Sequence, residues 1–138
     1  MTGFVLDCSI AMTWCFEDEA TSATDALLER VRDEGAIVPM LWQLEIGNVL
    51  LQAERRGRVA GADLSARLEL LTALPIATDD QTSSRALREV LALARAETLT
   101  TYDAAYLELA MRYGLSLATK DASLQKAAKR VRINVLSA

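Results

Sequence analysis

Residues Thr101–Asp121 read TYDAAYLELAMRYGLSLATKD, and the fold follows from this stretch. Thr101–Tyr113 places Tyr106, Leu107 and Ala110 at helical spacing, and Gly114 supplies the stop. Leu115–Thr119 (LSLAT) is then a short apolar strand, with Asp121 just past its end. A helix passing through one glycine into a brief apolar run is the repeating step of a parallel sheet.

The same step recurs on both sides. Gly3–Asp7 (GFVLD), Ala36–Pro39 (AIVP), Pro75–Thr78 (PIAT) and Arg132–Leu136 (RINVL) are the other short apolar runs. Ser9 is placed to cap a short helix after the first of them. Thr21–Glu34, Trp42–Arg56, Gly61–Leu74, Ser83–Glu97 and Ala122–Arg130 are helical segments. The stripes are Ala23, Ala26, Leu27 and Val31; Trp42, Ile46, Val49, Leu50 and Ala53; Leu64, Leu68 and Leu71; and Leu87, Val90, Leu91 and Ala94. The expectation is an α/β fold whose five-stranded parallel β-sheet is flanked by α-helices, as one domain over residues 1–138. No linker, repeat or low-complexity tract interrupts it. In such sheets ligands bind beyond the carboxyl ends of the strands.

Four carboxylates bear on that rim. Asp7 ends the first strand and Asp121 follows the fourth. Glu45 lies three residues after Trp42 and four before Val49, on or beside the apolar stripe of its helix. Asp103 precedes Tyr106 and Leu107 by three and four, again on an inward face. Carboxylates on buried stripes are costly unless paired or coordinated. Converging acids repel unless a cation neutralises them, and hard oxygen donors select Mg²⁺ or Mn²⁺. Blander roles exist for each: an N-cap for Asp121, an N3 acid in a box begun by Thr100 for Asp103, and a stripe border for Glu45. Ser9 and Thr119 stand beside the strand-end acids, where each hydroxyl either caps or fills, or supports the site. Asp79-Asp80 reads as a solvated turn before Ser83, and Glu17-Asp18-Glu19 as a solvated charge run.

Composition narrows the chemistry. There is no histidine, which excludes Ser-His-Asp and Cys-His catalysis and His-ligated zinc. Cys8 and Cys15 are too few for a Cys₄ site, lack the C-x-x-C spacing, and read as buried small hydrophobes. The stretch MTGFVLDCS has no basic leader region, and no run approaches the roughly 18–20 apolar residues of a membrane span, so the expectation is cytoplasmic. A net charge of −4 argues against a nucleic-acid partner, but residues 1–54 carry two basic and ten acidic side chains, and 55–138 thirteen and nine. The second half holds Arg55, Arg56 and Arg58, then Lys120, Lys126, Lys129, Arg130 and Arg132. That last cluster starts beside Asp121, where a phosphate backbone would lie.

The segments FVLDCS, MLWQLEIGNVLLQA, LTTYDAAYLELAMRYG and LSLATKDASLQKAA together resemble the PIN-domain ribonucleases, and among them the VapC-type toxins of bacterial toxin–antitoxin pairs. The resemblance spans the whole chain and implies a three-layer fold, an acidic pocket formed by Asp7, Glu45, Asp103 and Asp121, and Mg²⁺ (Mn²⁺ as substitute) as cofactor. It implies that Asp7 and Asp103 most directly ligate the metal, with Glu45 and Asp121 completing it. It further implies an RNA substrate, a cognate antitoxin, and a homodimer that becomes a heterotetramer or larger with that antitoxin, with no membrane role. The alternatives are a stand-alone RNA-processing nuclease, a receiver-like phospho-switch on Asp79 or Asp80, and a non-catalytic module whose acids bind a partner's arginine.

Overall fold

The structure is a computed structural model that describes residues 3–136. Its strands are β1 (Phe4–Leu6), β2 (Ala36–Val38), β3 (Ile76–Thr78), β4 (Leu117–Ala118) and β5 (Val135–Leu136). They form one five-stranded sheet in the order β3-β2-β1-β4-β5, every pairing parallel. Parallel strands covered on both faces need continuous apolar sequence. Phe4, Val5 and Leu6 of the central strand are accordingly fully buried, while Ala77 and Thr78 on the β3 edge are exposed.

The helices are α1 (Cys8–Thr13), α2 (Ser22–Glu34), α3 (Leu41–Arg55), α4 (Gly61–Thr72), α5 (Thr82–Arg85), α6 (Leu91–Glu97), α7 (Thr101–Tyr113) and α8 (Ala122–Arg130). A short 3₁₀ turn covers Glu17–Glu19. The expected elements are present, with shorter strands than the apolar runs suggested. Gly3, at φ +93°, immediately precedes β1, and a Cβ there would stand 2.4 Å from the Gly35 carbonyl oxygen. Two backbones approach where β1 and β2 start, and only glycine permits it.

Three details depart from the sequence reading. Asp7 occupies the N-cap position of α1, and Ser9 lies inside that helix, so Ser9 is not its cap. The segment expected as one helix over Ser83–Glu97 is broken by a π-helical turn at Ala86–Val90. This turn rotates the face: Val90 and Ala94 are buried, but Leu87 is 84% exposed and Leu91 also faces out. Val49 and Leu68 are likewise exposed, because α3 and α4 bury a narrower stripe than their apolar positions allow.

Helix α7 is the interior helix. Ala104 through Ala110 are all buried, and the helix packs on β1, β4, α6 and α8. Thr100 caps it by accepting from the Asp103 amide at 3.1 Å, and Gly114 closes it in the left-handed conformation. The chain runs outward from β1 to β3, then returns through α7 to the other side of β1. The strand order therefore reverses between β1 and β4. Crevices of open α/β sheets lie at that switch point.

Candidate acidic site

The switch point is where the strand-end acids meet. Asp7 leaves β1 and is 6% exposed. Its Oδ2 accepts from the Ser9 hydroxyl at 2.7 Å and from the Thr119 hydroxyl at 2.8 Å. Those hydroxyls in turn accept backbone amides across the crevice, Ser9 from Lys120 at 2.9 Å and Thr119 from Asp121 at 3.0 Å. Each hydroxyl thus spends its one proton on Asp7 and its lone pairs on the β4–α8 turn. The network fixes one oxygen of Asp7 and ties the ends of β1 and β4 together. Thr119 is fully buried within it, so it does more than fill the strand.

Asp121 caps α8, its Oδ2 accepting the Leu124 amide at 2.8 Å. The capping role and a place at the site therefore coexist in one side chain. Asp103 sits at N3 of α7, where the positive end of the helix dipole favours an acid. Glu45 reaches in from α3 and accepts from the hydroxyl of Tyr106 at 2.5 Å. Tyr106 is fully buried, and this contact is one the sequence reading, which placed Tyr106 in the core, did not include.

Electrostatics groups the four. Burial raises the Asp7 carboxyl above its ordinary value, the hydroxyls pull it back, and the Asp121 charge pushes it up again. Burial also raises Glu45, against the Tyr106 hydrogen bond, with Asp7 and Asp103 adding repulsion. Asp103 is raised by burial and then by Asp121 and Asp7. Among the described residues none of the four carries an ion pair. Their neighbour Cys8 is pushed up to about 12 by burial and by the Glu45 and Asp7 charges, and remains a thiol. Both cysteines are buried, as the sequence suggested.

This donor set is oxygen-only, negative and without a counter-charge, which fits a hard divalent cation. Among the described residues no three Asp, Glu or Cys side chains close on one point as a complete cage. Mg²⁺ does not ask for one: it is commonly held through one or two carboxylates, retaining waters and taking substrate phosphate.

A second acidic cluster was missed. Asp79, expected in a solvated turn, is buried behind β3. Arg112 of α7 bonds its Oδ1 at 2.8 Å, and the Thr82 hydroxyl and Gln81 amide bond its Oδ2. Arg112 also holds Glu108 at 2.9 Å, and Arg85 pairs with Glu108 from the other side. Burial would raise Asp79, but Arg112 and Thr82 outweigh it and hold its carboxyl below the ordinary value. Only Asp80 of the pair stays in solvent. An aspartate clamped by an arginine is a poor phosphoacceptor, which removes the structural basis for a receiver-like site at Asp79. The signal was present: Glu108 interrupts the buried run Ala104–Ala110, the same anomaly that marked Glu45 and Asp103. Likewise Arg58, expected on a solvated face, grips Asp18 and Glu19 and stacks 3.8 Å over Phe16.

Comparison with known proteins agrees with the architecture. Residues 4–130 match the family model described as the PIN domain. A similar solved structure is the crystal structure of PAE2754 from Pyrobaculum aerophilum, at 27% identity and a TM-score of 0.70, covering 96% of this chain and 89% of that one. No curated protein matches the sequence.

Proposed function

The chain belongs to the PIN-domain family, a membership that implies nuclease activity, and from it we propose a metal-dependent endoribonuclease acting as the toxin of a toxin–antitoxin pair. The observation that carries the catalytic part is the group of four unpaired carboxylates at the reversal of strand order. In this reading Asp7 and Asp103 hold the cation, and Glu45 and Asp121 complete or tune the site. When bound, Mg²⁺, or Mn²⁺ in its place, supplies charge to neutralise phosphoryl oxygens and to acidify an attacking water.

The chain's own residues do the positioning. Ser9 and Thr119 lock Oδ2 of Asp7, so its other oxygen is presented in a fixed direction. Tyr106 fixes one oxygen of Glu45 and, kept protonated by burial and by Glu45 itself, stays a donor. The exposed Lys120, Lys126, Lys129 and Arg132 give the RNA backbone a basic track that starts beside Asp121.

The toxin reading extends to partners. A cleft of about 320 Å³ between α3 and α4, lined by Trp42, Ile46, Leu68, Leu71 and Ile76, offers apolar surface to a segment of a cognate antitoxin. Leu87, Leu91 and Met111 stay exposed on elements that pack together, which suits a homodimer and a heterotetramer or larger with antitoxin. No helix of the described residues is long and apolar enough to cross a membrane, and we place the protein in the cytoplasm as a single PIN domain over 1–138.

The test is cleavage of single-stranded RNA in Mg²⁺ or Mn²⁺. EDTA stops it, and Asp7→Ala and Asp103→Ala abolish it while circular dichroism shows the fold retained. Cleavage that ignores the chelator would overturn the metal-dependent reading. Binding of a partner protein without any metal binding would favour the interaction-module alternative. Cleavage with no neighbouring antitoxin gene would favour a stand-alone processing enzyme.

A further inference from the structure

Beside the acids lies a depression that the four-carboxylate reading does not use. It has a volume of about 280 Å³ and is lined by Leu41, Leu44, Glu45, Asn48 and Tyr102. Its location is set by two of the site's own elements. Tyr102 immediately precedes Asp103 in the first turn of α7, and Leu44, Glu45 and Asn48 lie on one turn of α3. One wall of the depression is therefore a member of the acidic group.

Its chemistry differs from the rest of the rim. No lysine or arginine lines it, so it is unsuited to phosphate. Leu44 is 78% exposed and Tyr102 66%, a leucine and an aromatic ring turned to solvent. Among the three tyrosines Tyr106 is fully buried and Tyr113 reaches toward Asp79, while Tyr102 makes no such internal contact that would explain its place. Asn48 adds one amide, a donor and an acceptor side by side. An aromatic face, an apolar floor and one amide form the equipment with which proteins hold an unpaired base: stacking on the ring and a hydrogen bond to the base edge.

We infer that this depression is a subsite for one unpaired nucleobase next to the scissile phosphate, with Tyr102 as the stacking platform and Asn48 as the reader of the base edge. The inference rests on the ribonuclease reading above and deepens it: the substrate is single-stranded RNA, or a loop, whose base can swing out of its stack. A base parked beside Glu45 brings its own phosphate to the acidic rim, with Lys120 and its neighbours left to take the backbone beyond.

The experiment measures binding of a short fluorescent single-stranded RNA by anisotropy in Ca²⁺, alongside cleavage in Mn²⁺. Tyr102→Ala should weaken binding by about 5- to 150-fold, the range for loss of one base–aromatic stack. Tyr102→Phe, which keeps the ring, should restore most of it, and Asn48→Ala should weaken binding less. A set of strands in which one abasic nucleotide is walked along the chain should show one position where removing the base costs as much. With that strand Tyr102→Ala should add nothing further. Mn²⁺ affinity should be the same in wild type and Tyr102→Ala.

Equal RNA binding by wild type and Tyr102→Ala, or fully additive losses at every abasic position, would overturn the subsite while leaving wild-type cleavage, and so the nuclease reading, intact. A change in oligomeric mass or antitoxin binding in Tyr102→Ala, with RNA binding unchanged, would also overturn it and assign the depression to a protein interface. Wild-type protein that neither binds nor cleaves RNA would remove both readings together.

Discussion

The molecule contains two acidic clusters, each with at least one buried carboxylate and both leaning on α7, and they are electrostatic opposites. Around Arg112, Asp79 and Glu108 are matched by guanidinium groups, and Asp79 is held below its ordinary pKa. Around Asp7, hydroxyls and amides replace the cations, and Asp7, Glu45 and Asp103 are all raised. The first cluster is complete within the chain. The second has the polar scaffolding of a charge site without an ion-pair partner among the described residues, and the proposed cation would supply that charge. Burial of acids alone does not mark a functional site; burial without a resident cation does.

The sharpest break of that comparison is Arg112→Met. It strands two buried carboxylates, and urea unfolding should show a loss of about 3–5 kcal/mol. A loss under about 1 kcal/mol would mean that Asp79 and Glu108 find water or Arg85 instead. The reverse holds in the other cluster, where neutralising Asp7 and Asp103 should not harm the fold. There Mg²⁺ at about a hundred times its dissociation constant should add about 2.7 kcal/mol to the wild type and almost nothing to Asp7→Asn/Asp103→Asn. Equal stabilisation of both proteins would place the ion elsewhere.

The supporting contacts should cost less. Thr119→Val and Tyr106→Phe each remove one hydrogen bond to an acid, and Mn²⁺ affinity by calorimetry should fall by about 10- to 100-fold, the usual range for partners behind a metal ligand. Unchanged affinity would make both contacts purely structural.

The smallest effect is the dependence of stability on pH, and here the clusters differ in sign. Asp79 is depressed in the folded state, so its contribution is present above the unfolded value near 3.8 and is lost as pH falls through the lower folded value. Asp7, Glu45 and Asp103 are raised, so the metal-free folded state binds protons more readily than the unfolded chain. The cost of burying their charge, and after it their mutual repulsion, grows as pH rises from the unfolded carboxylate range through the folded values. Metal-free wild type should therefore melt at a higher temperature at mildly acidic pH than at neutrality, and Asp7→Asn should shrink that difference. A melting temperature that rises steadily to neutral pH would show that Asp7, Glu45 and Asp103 are not raised in the folded state.

Much of this was legible in the sequence, for definable reasons. Strands buried on both faces must be apolar throughout, so FVL and AIV announce themselves, and glycines or proline mark the ends. Asp7 was found because an acid closing an apolar run has few structural excuses, and Asp121, which also reads as a cap, because it follows another run at the same rim. Partner choice was not legible. Nothing local says that Asp79 will meet Arg112, 33 residues away, or that Tyr106 will meet Glu45 across 61. Nor does periodicity reveal the π-turn at Ala86–Val90, whose wider i→i+5 turn takes up an extra residue and shifts the helical phase, leaving Leu87 outward. That Tyr102 stays exposed was not legible either, because exposure is a property of the packed molecule.

The bond between Asp7 and Thr119 spans 112 residues of chain. Protein synthesis delivers Thr119 roughly 6–22 seconds after Asp7 at about 5–20 residues per second. Until β4 slots in beside β1, the first acid made has neither its second hydroxyl nor Asp121 and Asp103 in place. In that order of synthesis the acidic group is incomplete until β4 and the Asp121 that follows it have been made.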